Sequence, residues 1–352
     1  MPAASKHIRV AGADPGTSSL DVLVLVDGAV ADQCRFAPAE LQADPESPVR
    51  WLAGRGPFDL VAGPSGYGLP LVRAGDCTDR DLARMTLVRP DECGPARQGV
   101  LGFASLLRAF RASSLPVVFL PGVIHLTTVP AHRKINRIDL GTADKLCVAA
   151  LALARRTEQL GLGPGDYHGC LVELGSAFTA CLVLGNGRVV DGVGGTSGPF
   201  GWGSGGAWDG EAAYLLSPLE KRDLFRGGVT SAAGEDGRRR FRESLVKTVA
   251  GLRAVTPFPE VVLSGRLLES EPDFTEQVAG DLARLVNVVR LESLPGAWVK
   301  HAAQGAALVA DGLAGGRYAP LVGHLALRQA AGSALDWLGH PRADEVRRWF
   351  QA

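Results

Sequence analysis

Asp14-Pro15-Gly16-Thr17-Ser18-Ser19-Leu20-Asp21-Val22-Leu23-Val24-Leu25-Val26-Asp27-Gly28-Ala29-Val30 and Glu173-Leu174-Gly175-Ser176-Ala177-Phe178-Thr179-Ala180-Cys181-Leu182-Val183-Leu184-Gly185-Asn186-Gly187-Arg188-Val189 are two copies of one pattern. Carboxylate aligns with carboxylate, glycine with glycine, hydroxyl with hydroxyl, and Asp-Gly with Asn-Gly, without a gap. An internal repeat constrains architecture before any other reading. It predicts two similar halves, each opening with a strand, a glycine turn, a second strand and a tight hairpin.

The residue types of the pattern suggest its chemistry. Ile8–Ala13 and Cys170–Val172 are short apolar strands. A glycine after each strand turns the backbone and lets its amides face an anion. Thr17, Ser18, Ser176 and Thr179 can donate to phosphate oxygens. The carboxylates of Asp14 and Glu173 can hold a hydrated magnesium ion, which prefers oxygen ligands and keeps several waters. Asp27-Gly28 and Asn186-Gly187 are strong signals for a type I′ hairpin, where both central residues need positive φ. One such copy reads as an ordinary hairpin. Two matched copies read as a clamp on a nucleotide's phosphate tail.

The chain has 352 residues, long for a single core, so two domains are expected. We place them at 1–145 and 146–318, with a helix in 319–352 packing back on the first. The formal net charge is zero, which argues against nucleic acid or an acidic membrane surface as partner. Neither a signal peptide nor a run of membrane length is evident. The six cysteines form no C-x-x-C pair, and Cys147, Cys170 and Cys181 sit in apolar segments as buried thiols. A cytoplasmic protein is expected, and a homodimer is compatible with such a chain.

Between the repeats, residues 40–56 read as irregular and Phe58–Ala62 as a strand. Its following loop, Gly63 to Gly68, lies at a strand's carboxyl end, where α/β sheets often bind ligands. Gln98–Arg111 reads as an amphipathic helix and Pro116–Leu120 as a strand. A basic loop (His132, Arg133, Lys134, Arg137) leads to an Ala/Leu-rich helix from Leu146 to Leu160. Thr142 is its N-cap and Asp144 lies in its first turn, where its charge suits the helix dipole. Eight glycines between 192 and 206, with Phe200 and Trp202, suit a loop that closes on a ligand. The basic run Arg238–Arg242 reads as a solvated helix face. Glu260–Ser264 and Val286–Leu291 are strands. His301–Leu313 is a helix of small residues that admits a close neighbour, and Leu321–Leu338 is amphipathic.

This order of parts resembles the superfamily of acetate and sugar kinases, the Hsp70 ATPase domain and actin, over nearly the whole chain. The second copy is similar to the H-L-G-x-G phosphate motif of acetate and butyrate kinases, and Leu140-Gly-Thr-Ala-Asp-Lys145 to their H-G-T-S-H-K. Phe119-Leu-Pro-Gly-Val-Ile-His125-Leu-Thr-Thr-Val-Pro130 resembles F-D-T-x-F-H-x-T-x-P. The chain looks most like the group labelled predicted butyrate kinases. Three positions depart from the pattern. Leu120 or Pro121 replaces the catalytic Asp, Leu140 replaces the His before Gly-Thr, and Ser204–Asp209 stands where an acyl-phosphate Arg belongs. The resemblance implies two tandem RNase H-like domains of the actin-like ATPase fold, in the α/β class, with a nucleotide cleft between them.

It further implies ATP and Mg2+ as cofactors and a small molecule as phosphoryl acceptor. Asp14 is the metal candidate. Gly16, Thr17, Ser18, Glu173, Gly175, Ser176 and Thr179 are the phosphate candidates, and Gly265 with Arg266 looks like the adenosine segment. The acceptor is expected near His125, Arg137, Asp139, Asp144 and Lys145. An alcohol would use Asp139 or Asp144 as base; a carboxylate would use Arg137, Lys145 or His125. A short-chain carboxylate is the expected acceptor. A sugar-like alcohol, or an ATP-binding module without kinase activity, are the alternatives. A nicotinamide enzyme is disfavoured, because no G-x-G-x-x-G joins a strand to a helix.

Overall fold

Both repeats fold into the same hairpin unit in the computed structural model, which describes residues 7–16, 18–92, 102–231 and 234–351. In the first half, β1 (Arg9–Pro15) pairs antiparallel with β2 (Leu20–Val26), which pairs with β3 (Ala29–Phe36). Three short strands follow: β4 (Leu60–Ala62), β5 (Val72–Arg73) and β6 (Val117–Phe119). The second half contributes β7 (Gly169–Leu174), β8 (Thr179–Gly185), β9 (Arg188–Val193), β10 (Glu260–Ser264) and β11 (Asn287–Arg290).

The sheet orders are β3-β2-β1-β4-β6-β5 and β11-β10-β7-β8-β9. The second repeats the first strand for strand and sense for sense, apart from the added edge strand β5. The correspondence extends to detail. Gly16 donates its N–H to Ser19 O, and Gly175 donates to Phe178 O. Register shifts fall at Val24/Leu25 and at Val183/Leu184. Asp27 and Gly28 take φ of 51° and 76°, and Asn186 and Gly187 take 49° and 66°, the left-handed pair that a type I′ turn demands. Asp14 and Glu173 occupy the same position on β1 and β7, one residue before the strand ends.

Two central helices join the halves. The crossover helix (Ala143–Leu160) packs on β7 and β8, while the small-residue helix (His301–Leu313) packs on β1, β2 and β4 and against the crossover helix. The helix that follows the second sheet in sequence therefore covers the first sheet. Glycines set these approaches. A Cβ on Gly12 would lie 2.1 Å from Ala307 N, and one on Gly305 would lie 1.9 Å from Cys147 O. The central core lies around these two helices, and separate apolar clusters cover the outer face of each sheet.

Some local expectations give way to tertiary context. Residues 40–56 are not irregular. They hold parts of two short helices, Pro38–Ala43 and Ser47–Ala53, each with a proline in its first turn, where a missing N–H costs nothing. Thr142 does not cap with its side chain; its hydroxyl donates to Asp144 instead. Leu321–Leu338 is not one helix. Ala326 (φ 57°) and Gly332 (φ 77°) break it, leaving the helix Ala319–His324 and a 3-10 turn. Arg238 is not merely solvated, since its guanidinium stacks 5.1 Å from the Trp202 ring centre. The expected helix at Gln98–Arg111 is seen as Phe103–Ala112, and residues 98–101 lie outside the described residues.

We predict that Gly305→Ala lowers the unfolding free energy by about 1–3 kcal/mol or more, the cost of forcing a methyl into packed backbone. Gly280→Ala lies at an exposed position of the helix Pro272–Ala283 with nothing within 4 Å of the added carbon and is expected to raise it by about 0.5–1 kcal/mol. Urea unfolding of both variants checks the pair.

Candidate active site

The ends of β1 and β7 and the start of the crossover helix meet in a cleft of about 580 Å³ lined by both halves. At its centre stands Lys145. Its Nζ donates to Asp144 Oδ2 at 2.7 Å and lies 3.0 Å from Glu173 Oε2. The second approach lacks hydrogen-bond geometry, so Glu173 Oε2 is buried without a hydrogen-bond partner among the described residues. Lys300, which begins the small-residue helix, reaches Asp14 from the other side. Its Nζ lies 2.8 Å from Asp14 Oδ2 and donates to the carbonyls of Asp14 and Ser19 at 3.0 Å each. Its backbone N–H donates to Asp21 Oδ2 at 2.9 Å, and Asp21 is held in turn by Arg35 and Ser19.

Burial in this cluster works against every charge. It raises the Asp14 carboxyl above its ordinary value despite Lys300, with the Asp144 charge adding to the rise. It raises Glu173 likewise, against the pull of Lys145. For Asp144, burial is outweighed by Lys145 and the Thr142 hydroxyl, so the group falls below its usual range. For Lys145, burial is outweighed by Asp144 and Glu173, which keep the ammonium charged. Three carboxylates thus share two ammonium ions, and Glu173 Oε2 has an ion pair with Lys145 but no hydrogen bond among the described residues. A magnesium ion suits that surplus, because it needs only one or two carboxylates when phosphates and water complete its shell. Among the described residues no three His, Cys, Asp or Glu side chains converge as a closed metal cage.

The structure brings most sequence-derived candidates to this cleft. Asp14, Gly16, Ser18, Asp139, Asp144, Lys145, Glu173, Gly175, Ser176, Gly265 and Arg266 all line it. Thr17 lies outside the described residues. Thr179 is fully buried behind the lining, and its hydroxyl has no hydrogen-bond partner among the described residues. His125 and Arg137 stand apart from the lining. His125 is a core histidine whose Nδ1 faces Gly122 O at 3.3 Å, and burial pushes its pKa down to about 4. Arg137 is exposed on the surface. Asp139 lines the cleft but is occupied. Its oxygens accept from Gly141 N at 3.1 Å and from the N–H and hydroxyl of Thr196 at 3.0 Å each, pinning the glycine-rich loop. Gly265 (φ 111°) leaves room for the backbone of Leu174, 2.3 Å from where its Cβ would be. Arg266 pairs with Glu269 at 2.8 Å.

Three cleft residues carried no local sequence signal. Lys300 contacts Asp14 across 286 positions of chain. His301 lies between Ser264 Oγ at 2.8 Å and Ser293 Oγ at 3.3 Å, and burial pushes its pKa down to about 4. Lys221 faces the opposite end, where its Nζ donates to the Tyr67 hydroxyl at 3.2 Å. Only the fold brings these groups to the cleft.

A family model described as a protein of unknown function, DUF1464, matches residues 12–340. The chain belongs to that family. No protein of curated function matches it. Among solved structures, acetate kinase from Entamoeba histolytica is similar at a TM-score of 0.55 and 12% identity, covering 79% of this chain and 87% of that one. Acetate kinase from Porphyromonas gingivalis is similar at a TM-score of 0.53 and 15% identity, covering 85% of this chain and 98% of that one. At such identities the likeness establishes the fold, and with the repeated sheets it is the two-unit α/β fold of the actin-like ATPases. No helix among the described residues is long and apolar enough to cross a membrane.

Lys145→Met is expected to destabilise the fold by about 3–5 kcal/mol at neutral pH, because it leaves buried carboxylates without their cation. In that variant the folded-state pKa values of Asp144 and Glu173 rise above their unfolded values, so the native state binds protons the unfolded state releases. The deficit should therefore shrink as pH falls from 7 toward the ordinary carboxylate range. Denaturant midpoints measured between pH 5 and pH 8 for both proteins check the sign.

Proposed function

We propose that the protein is an ATP-dependent phosphotransferase acting on a small molecule, with a short-chain carboxylate as acceptor. One observation carries the reading. Two copies of the same glycine turn face one cleft, and between them a lysine is surrounded by carboxylates from both halves. A nucleotide's phosphates suit such a place, since phosphoryl transfer needs positioning and charge neutralisation more than covalent work by the protein.

In this reading the hydroxyls of Thr17, Ser18 and Ser176 hold the phosphates, beside the turns that Gly16 and Gly175 close with their own amides. Asp14 and Glu173 would hold magnesium, which when bound would supply neutralising charge for the phosphates. Lys145 and Lys300 then turn from their carboxylates toward the transferring group. Gly265, Arg266 and His301 border the nucleoside end. The same reading takes 1–145 and 146–318 as the two domains, with 319–352 packing back on the first, in a cytoplasmic protein.

A carboxylate acceptor needs no base. One of its oxygens forms the new bond to the γ-phosphorus while the bond to the bridging oxygen breaks, and ADP leaves with that electron pair. This suits a site where Asp139 is occupied by hydrogen bonds. An alcohol acceptor would need Asp144 free as base, yet Asp144 is bound by Lys145 and Thr142.

The test is ATP consumption against acetate, butyrate, hexanoate and a sugar panel. Turnover with carboxylates is expected. Asp14→Asn should reduce that turnover by about 10²–10³-fold, the size of effect seen when one charge-stabilising group is removed. ATP binding without turnover of any acceptor would leave the non-catalytic ATP-binding reading in its place.

A further inference from the structure

The cleft has a second end, and its chemistry differs from that of the phosphate turns. Gly66 lies beside the start of the crossover helix, where its carbonyl accepts from Ala143 N–H at 2.9 Å. Around it the lining is apolar: Met85, Phe103, Leu106 and Leu120 from the first half, and Phe225 from the second. A Cβ on Gly66 would lie 2.4 Å from Met85 O and 2.8 Å from Phe103, so this wall is closely packed. Phe225 meets Phe178 edge to face at 4.8 Å. These five side chains offer hydrocarbon in place of hydrogen-bond donors, although Ser65, Tyr67 and Thr86 line the same cleft.

One basic side chain stands at this end of the cleft. Lys221 occupies the same 3-10 turn as Phe225, Lys221–Phe225. It crosses to the first half in two ways: its backbone N–H donates to Glu92 Oε2 at 2.6 Å, and its Nζ lies 4.5 Å above the Tyr67 ring centre, donating to that hydroxyl. No carboxylate among the described residues comes within ion-pair distance of its Nζ. The ammonium thus lies beside an aromatic ring in the cleft that holds Lys145, with Asp139 and Glu92 acting on it from beyond ion-pair distance.

We propose that Lys221 is the acceptor-anchoring residue, seating the anionic group of a substrate whose body is hydrocarbon and lies against Met85, Phe103 and Phe225. The proposal rests on the phosphotransferase reading and narrows it to apolar monocarboxylates longer than acetate. Three groups face Lys221: the Tyr67 hydroxyl, Asp139 and Glu92. Burial lowers its pKa to about 8 against the pull of the two carboxylates. Charge on Lys221 is therefore lost as pH rises through that value, and the efficiency of the free enzyme toward an anionic acceptor falls with it.

The experiment compares wild type, Lys221→Met and Lys221→Arg with acetate, butyrate, hexanoate and 1-hexanol. Both turnover and direct binding by calorimetry are measured, and circular dichroism checks folding. Loss of a charge-assisted contact should raise the hexanoate KM of Lys221→Met by about ten- to a hundredfold, with the ATP constant unchanged. Lys221→Arg should keep the wild-type KM and lose the decline of kcat/KM above pH 8. Wild type should favour hexanoate over acetate, and Lys221→Met should no longer favour hexanoate over 1-hexanol. Turnover of carboxylates with an unchanged KM in Lys221→Met would overturn the role of Lys221 and leave the kinase reading standing. Hexanoate binding that Lys221→Met abolishes, without turnover in wild type, would support the seat while removing the kinase reading. Absence of both binding and turnover would overturn both.

Discussion

The ammonium of Lys145 is the constraint around which the two halves are arranged. It sits on the crossover helix, pairs with Asp144 on the same helix and lies against Glu173 at the end of β7. The Asp14 charge from β1 also acts on it. A buried cation of this kind is costly unless its partners arrive in good geometry. Both β1 and β7 must therefore end where they do, and the glycine turns that follow them are placed by the same requirement. Lys300 performs the matching task for Asp14, clasping the first turn through two backbone carbonyls and the carboxylate.

That geometry is set by backbone packing more than by side chains. Gly12 and Gly305 let β1, the small-residue helix and the crossover helix approach without intervening atoms. The charged cluster then inherits its precision from rigid elements, as a site on helices and strands does. The glycine-rich loop is tied to the same frame. Gly194 leaves no room for a Cβ beside Asp139, whose oxygen lies 1.7 Å from where that atom would be. Asp139 couples the loop to the segment that starts the crossover helix.

The repeat made much of this legible. Matching Asp14 with Glu173 predicted two equivalent hairpin units, and turn φ values, strand senses and the bulge positions all follow that match. Lys145 was legible through the likeness of Leu140-Gly-Thr-Ala-Asp-Lys145 to a kinase motif at the entry to the crossover helix. Lys300 and Lys221 were not, because each becomes significant only through contacts far along the chain, and a lone lysine carries no periodic or capping signal. His125 and Arg137 misled for a related reason. They sit in a segment resembling a catalytic one, but the first turns into the core, while the second faces solvent. Leu321–Leu338 was amphipathic in pattern, yet its apolar residues serve short turns on two neighbours, and periodicity does not distinguish those from one helix.

The exchange of helices between the sheets bears on how the chain is made. Synthesis delivers β1 and β2 long before the helix that covers their inner face, His301–Leu313. The first sheet cannot complete its core while the nascent chain is still short. Its inner strands must wait, exposed or chaperoned, until the chain has emerged as far as Leu313. Contacts of such long sequence separation close late and fold slowly. The two units, although alike in plan, are not independent beads on a string: the first owes its finished state to the last part of the second.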